Sequence, residues 1–412
     1  MNMRPYLSAA LALTFLFIAV PRALPQDNSE PDRLERQFGE LVEVLSGKRV
    51  GMLTNPSGVD SQFRHLSRRL IEHPDVELAA FFAPEHGIYG DLQAGDLDED
   101  MTDPHTGLPV YSLYGPRRAP TEEQLADLDT VLFDMQNIGA RFYTRQWIMT
   151  WTMEACAEHG TEFVLFDRPS PVGLRHVEGA PIPFDAGIIG RKWPDEPFGV
   201  PVRHGLTAGE LAVLVNEEWM DPQVDLTVVK VPGLTRSMTF EETGYPWVIP
   251  SPNIPTIDSA FAFPGMCIIE GANVSEGRGT TRPFELIGAP WIDGHELTNH
   301  LNAKELPGVR FRPAWFRPTF AAHEGELCGG FQLHVTDREA FEPVRTGFVV
   351  LRALAELYPE DLVLRSYVSR LMGVENLHER ILEEDAETLI AEWQEDLAAF
   401  KEIRERHLLY GD

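Results

Sequence analysis

The stretch FFAPEHGIYG, residues 81–90, sets an acid beside an imidazole, Glu85 and His86, between an apolar run and two glycines. A carboxyl placed there is partly desolvated, which suits a general acid. Gly87 and Gly90 would let backbone approach a ligand closely. His86 fits either a direct role or that of a neighbour orienting the acid. Other polar groups fall at comparable places. Thr54 and Asn55 end one apolar run. Asp134, Gln136 and Asn137 end another, with Arg141 and Tyr143 just beyond, and Asp167 and Arg168 end a third. In PVRHGLT (201–207), Arg203 and His204 precede a helix start. A cation beside exposed helix amides makes an anion site; a surface Arg with a capping neighbour fits equally well. SEGRGTTRPFE (275–285) gathers two acids, two arginines and two glycines, among them Glu276 and Arg278. Such polar, glycine-punctuated loops often line clefts.

These residues need a scaffold, and the first half of the chain supplies its pattern. Apolar runs at 48–55, 76–85, 129–136, 161–171 and 225–233 read as strands. Segments 62–73, 121–128, 141–160 and 206–219 read as helices between them. Thr207 and Glu210 form the S/T-x-x-E signature of a helix start. Continuous apolar strands alternating with helices imply a parallel sheet covered on both faces. In such sheets ligands bind at the carboxyl ends of the strands. Four strand ends carrying polar groups therefore read better as one site than as polar loops. Residues 246–290 are rich in Pro and Gly and read as ordered loops. Beyond them come antiparallel strands at 309–317 and 329–336 and helices at 341–357 and 386–408. The expected fold is α/β: a Rossmann-like domain over 36–255, then a smaller α+β domain over 256–412.

Composition excludes other classes. With 43% hydrophobic residues in 412, two real cores are affordable. A net charge of -29 makes the chain a poor nucleic-acid binder, because it repels phosphate, and an anionic ligand would need a locally basic pocket. Residues 1–25 hold one Arg before an apolar run ended by Pro21. That is a signal-peptide pattern, or less readily an uncleaved anchor, which would be the only link to a membrane. Export to the periplasm or beyond is expected. Cys156, Cys267 and Cys328 show no metal spacing and read as buried small hydrophobes. No G-x-G-x-x-G, G-x-S-x-G or G-K-[ST] occurs, so no cofactor is expected, and no H-E-x-x-H or EF-hand spacing supports a metal.

GMLTNPSGVD, FFAPEHGIYGD, TGLPVYSLYG, LFDMQNIGARFYT, DRPSPVG, VRHGLTAGELA, PSPNIPT, EGANVSEGRGTTRPFELIGAPWID and HVTDR follow in this order. From about residue 40 onward the chain thereby resembles the NamZ-type exo-β-N-acetylmuramidases. The resemblance implies a Rossmann-like domain, a second domain, and an active site in the cleft between them. It implies an exported enzyme acting on peptidoglycan-derived saccharides, removing β-linked N-acetylmuramic acid from the non-reducing end. It also places the catalytic glutamate of the P-E-H-G motif on Glu85.

Glycoside hydrolysis needs a carboxyl to protonate the leaving oxygen and a second group opposite it. Asp134, Asp167 and Glu276 are candidates for that second group. The substrate's own acetamido oxygen, oriented by a carboxylate such as Asp134, is another. Muramic acid carries a lactyl carboxylate, for which Arg203, Arg278, Arg141 and Arg168 are the candidate clamps. Asn55, Gln136, Tyr143, Asp167, His204 and Asn253 complete the expected substrate contacts. The competing readings are a glycan-binding protein without catalysis and a metal-dependent amidase or esterase on cell-wall fragments.

Overall fold

The computed structural model describes residues 32–412 apart from 94, 97 and 98, so the N-terminal signal segment read at 1–25 lies outside the described residues. Ten strands are described: β1 (Arg49–Thr54), β2 (Glu77–Ala83), β3 (Met101–Thr102), β4 (Pro109–Ser112), β5 (Thr130–Asp134), β6 (Glu162–Phe166), β7 (Leu226–Val229), β8 (Leu286–Ala289), β9 (Val309–Phe316) and β10 (Cys328–Val335). The first seven form one sheet in the order β3-β4-β2-β1-β5-β6-β7. Every pairing is parallel except β3 with β4. The order reverses at β1, which carries β2 on one side and β5 on the other, as in doubly wound sheets. The smaller sheet, β8-β10-β9, is antiparallel.

Alternation within the strands explains why both faces are covered. In β5, Val131 and Phe133 enter one apolar cluster while Leu132 enters the other. The helix Arg33–Leu45 closes one face through Leu34, Phe38, Leu41 and Leu45. The helix Arg145–His159 lies on the other and is buried nearly all round, Trp147 included. The same cluster runs on without a break through Phe284, Phe331 and Phe348. Residues Asp32–Asp412 accordingly form one compact unit. The S/T-x-x-E signature is realised as a capping box that starts the helix Ala208–Glu218.

Three details differ from the sequence expectation. Residues 246–290 are not all loop: a ten-residue helix, Ile257–Met266, runs through them, started by a Thr256–Ser259 capping box and tolerating Pro264 near its end. β8 follows within the same stretch. The expected helix at 386–408 is two helices, Ala386–Ala391 and Gln394–Glu405. All three cysteines are free and buried.

Candidate active site

A cleft of about 430 Å³ opens beyond the carboxyl ends of β2, β4 and β5. Its other wall comes from 251–254, 263–284 and the helix Tyr367–Met372. Glu85 lies two residues past β2 and is half-buried. Its Oε2 accepts a 2.7 Å hydrogen bond from Thr144 Oγ1. Thr144 is the N-cap of the helix Arg145–His159, yet its side chain makes no cap bond, because the hydroxyl is turned to the glutamate instead. Tyr114, just beyond β4, also lines the cleft; burial first, then the Glu85 charge, pushes its hydroxyl above the ordinary tyrosine range. Among the described residues, Oε1 has only a long contact, 3.4 Å, from Gly95 N.

His86 supports this arrangement from behind. Its backbone has φ 76°, followed by Gly87 at 73°, so the chain turns sharply after Glu85. For a non-glycine residue that conformation costs about 1–2 kcal/mol. Two side-chain bonds hold it: Nδ1 to Leu92 O at 2.8 Å and Nε2 to Ser251 Oγ at 3.0 Å. A carbonyl only accepts, so Nδ1 carries the proton and Nε2 accepts from the serine. Burial, then the Arg145 charge, holds the imidazole pKa below its ordinary value, which fits this neutral tautomer.

The far wall carries Glu270, Glu276 and Arg278. Arg278 bonds Glu270 at 2.6 Å and Glu276 at 2.8 Å and lies 5.0 Å from the Phe284 ring centroid. Burial pushes the Glu270 carboxyl upward, and Arg278 opposes that shift. Asn253 lines the cleft with a buried Nδ2 that has no partner among the described residues. Tyr143 lines it too and accepts a hydrogen bond from Arg145 Nη1.

Of the expected site residues, Glu85, His86, Tyr143, Asn253, Glu276 and Arg278 therefore meet in one cleft. The others do not line it; most of their polar atoms bond other parts of the protein, while Asp134 Oδ2, Arg141 Nε and Arg203 Nε are buried with no partner among the described residues. Asp134 Oδ1 is bound by Arg168 Nε at 2.6 Å, and Arg168 also donates to Val59 O. Asp167 accepts from Gly209 N, Thr207 Oγ1 and Tyr410 Oη and so ties two distant segments to β6; burial still pushes it up to about 6. Asn55 donates to Pro250 O, and Gln136 to Pro169 O. Arg203 pairs with Glu178 at 2.8 Å, and Arg141 bonds the carbonyls of Ala180, Val200 and Leu371. His204 is wholly buried against Gln146, and burial pushes it down to about 3. As a counterpart to Glu85, neither Asp134 nor Asp167 is in position; as clamps, Arg141, Arg168 and Arg203 do not line the cleft and bond other parts of the protein. Arg145, Glu270 and Thr144, which the sequence reading did not single out, line the cleft in their place.

Fold and site together define a doubly wound α/β protein with an acid-centred cleft at the carboxyl edge of its sheet. Comparison with known proteins narrows this. Residues 50–258 match the N-terminal region of the exo-beta-N-acetylmuramidase NamZ family, and residues 261–410 match its C-terminal region. The chain belongs to that family. It is 46% identical over 375 residues to the peptidoglycan beta-N-acetylmuramidase NamZ of Bacillus subtilis (strain 168), covering 90% of this chain and 89% of the relative. Two DUF1343 family proteins of Bacteroides fragilis with solved crystal structures share the fold. One superposes with a TM-score of 0.83 at 34% identity, covering 92% of this chain and 98% of that one. The other gives 0.71 at 28%, covering 91% and 98%.

Proposed function

We propose that this protein is an exo-acting glycoside hydrolase that releases β-linked N-acetylmuramic acid from the non-reducing end of peptidoglycan fragments. Glu85 is its general acid/base, and the reaction takes place outside the cytoplasm. The observation that carries the reading is the division of labour on the Glu85 carboxyl. Oε2 is fixed by Thr144, while among the described residues Oε1 has only the long Gly95 contact. A proton on Oε1 is thus aimed by a carboxyl whose orientation is set. Family membership over both halves of the chain supports the sugar and the exo mode.

For the group opposite Glu85, the geometry favours the substrate over a protein carboxylate. Glu276 is the one of the three expected carboxylates that lines the cleft, and it is bound to Arg278. An arginine-bound carboxylate is a weak nucleophile and base. Attack by the substrate's acetamido oxygen needs no second free carboxylate, so we place the displacement there. Glu85 donates its proton to the departing oxygen as the acetamido oxygen bonds to the anomeric carbon. It then takes a proton from the water that opens the ring so formed.

The test is mass analysis of products from a defined disaccharide with N-acetylmuramic acid β-linked at its non-reducing end. Equimolar free N-acetylmuramic acid and the acceptor sugar are expected. Intact disaccharide after prolonged incubation would show a binding protein instead. Loss of acetate or lactate would show a different hydrolase.

A further inference from the structure

Among the described residues, one cation in the cleft has no counter-ion. Arg145 is the first residue of the helix Arg145–His159 and is 2% exposed, yet it lines the cleft. Its Nη1 donates to the Tyr143 hydroxyl, and its guanidinium carbon lies 4.9 Å from the Tyr143 ring centroid. Among the described residues, Nε and Nη2 have no hydrogen-bond partner. No carboxylate among them forms an ion pair with it; Glu85 acts only from longer range. Burial pushes its pKa down to about 9, the cost of a charge held without a partner. A cation in the first turn of a helix also opposes the helix dipole. Neither fold stability nor helix formation accounts for this residue.

The two vacant nitrogens are a matched pair. Nε–H and one Nη2–H project side by side from one edge of the planar guanidinium, the edge that takes both oxygens of a carboxylate. Arg278, the other arginine in the cleft, already holds two carboxylates. The anion also has a fixed relation to the acid, because Arg145 directly follows Thr144, which holds Glu85. Muramic acid bears its carboxylate on an ether at C3, two ring carbons from the anomeric centre. One sugar can thus present its scissile bond to Glu85 and its carboxylate to Arg145.

We infer that Arg145 is the specificity-determining residue of this cleft, binding the free lactyl carboxylate of N-acetylmuramic acid through its Nε/Nη2 edge. The inference rests on the reading of the cleft as a muramidase site. It makes the free acid, and not its amide, the substrate form that this cleft selects.

The experiment compares 4-nitrophenyl β-N-acetylmuramide with its lactyl amide, in wild type, Arg145→Met and Arg145→Lys. A site built around a charged contact rejects an analogue lacking it by about a hundredfold or more. Wild type should prefer the acid by that factor in kcat/KM. Arg145→Met should lose about a hundredfold on the acid, mainly through KM, and stay within about threefold on the amide. Arg145→Lys should recover part of the loss, since it keeps the charge and loses the fork. Calorimetric titration with free N-acetylmuramate should show the same weakening, while N-acetylglucosamine should bind both proteins alike. Equal losses on acid and amide would overturn the assignment. So would an unchanged acid/amide ratio with a displaced pH–rate profile, which would make Arg145 a neighbour acting on Glu85. Should Arg145→Met fail to fold by circular dichroism, the wild-type acid/amide ratio decides, and a ratio near one refutes the clamp. Should wild type bind muramate but release no sugar, the hydrolase reading fails and the titration still tests Arg145.

Discussion

Replacing Arg278 by methionine removes the cation that two cleft carboxylates share. Arg278 lies 2.6 Å from Glu270 and 2.8 Å from Glu276, and all three side chains are largely shielded from water. Breaking a buried pair by deleting one partner costs about 3–5 kcal/mol, because the remaining charge is left uncompensated. Unfolding entropy of about 2.1 cal/mol/K per residue, taken over the compact unit 32–412, gives about 0.8 kcal/mol/K. The melting temperature should therefore fall by about 4–6 °C at neutral pH. The pH dependence has a definite sign. Burial already holds Glu270 above its ordinary value, and Arg278 pulls it back down. Without Arg278 the folded state takes up a proton at higher pH than the unfolded state does. The stability deficit is then largest above the raised pKa and shrinks as pH falls toward the unfolded carboxylate value of about 4.3. Thermal melting of wild type and variant across that range measures both effects. A change of less than about 1 °C at neutral pH, or a deficit that grows on acidification, would refute this account of the triad.

Gly58 packs against the buried carboxylate end of β5: a Cβ there would meet Thr54 Oγ1 at 2.7 Å and Asp134 Oδ2 at 2.8 Å. Gly58→Ala should thus cost about 1–3 kcal/mol, visible as a lower denaturation midpoint with unchanged slope. His86→Asn keeps a side chain that tolerates positive φ but loses the reach to Leu92 O and Ser251 Oγ. It should lower kcat/KM by about ten- to a hundredfold through misplacement of Glu85. Because His86 is held below its ordinary pKa by burial and by Arg145, both limbs of the pH–rate profile should stay where they are. No group of three or more His, Cys, Asp or Glu side chains able to hold a metal is found among the described residues. The proton transfers and acetamido attack proposed for the cleft call on no metal, so turnover should survive prolonged chelation, as an activity assay after dialysis would show.

The sheet was legible where strands were long and apolar. β1, β2, β5, β6 and β7 follow from continuous runs, because burial on both faces leaves no polar alternation to confuse with helix. β3 and β4, of two and four residues, carry too little pattern to separate from loop. The helix Ile257–Met266 was hidden by Pro255 and Pro264, which read as breakers although one precedes the N-cap and the other falls near the C-terminal end. The site was legible at Glu85 because acid, imidazole and glycines follow β2 directly. It was misleading at Asp134, Asp167, Arg168 and Arg203. Their residue types suit catalysis, but which polar group meets a ligand and which meets a backbone amide is decided by segments far away, such as Tyr410 on Asp167. Arg145 was concealed inside a run read as helix from residue 141. The helix begins at Arg145, and a cation in the first turn of a helix was the signal available.

The central claim, that Glu85 protonates the departing oxygen, is tested most directly by how Glu85→Gln responds to leaving-group quality. Glutamine can still accept from Thr144 but has no proton of the right acidity to donate. With a sugar leaving group, kcat/KM should fall by about 10²–10⁴-fold. With 4-nitrophenol, which departs without protonation, the loss should be under about tenfold, circular dichroism confirming the fold in both assays. Wild-type turnover of the disaccharide by Glu85→Gln, or equal losses with both leaving groups, would contradict the account.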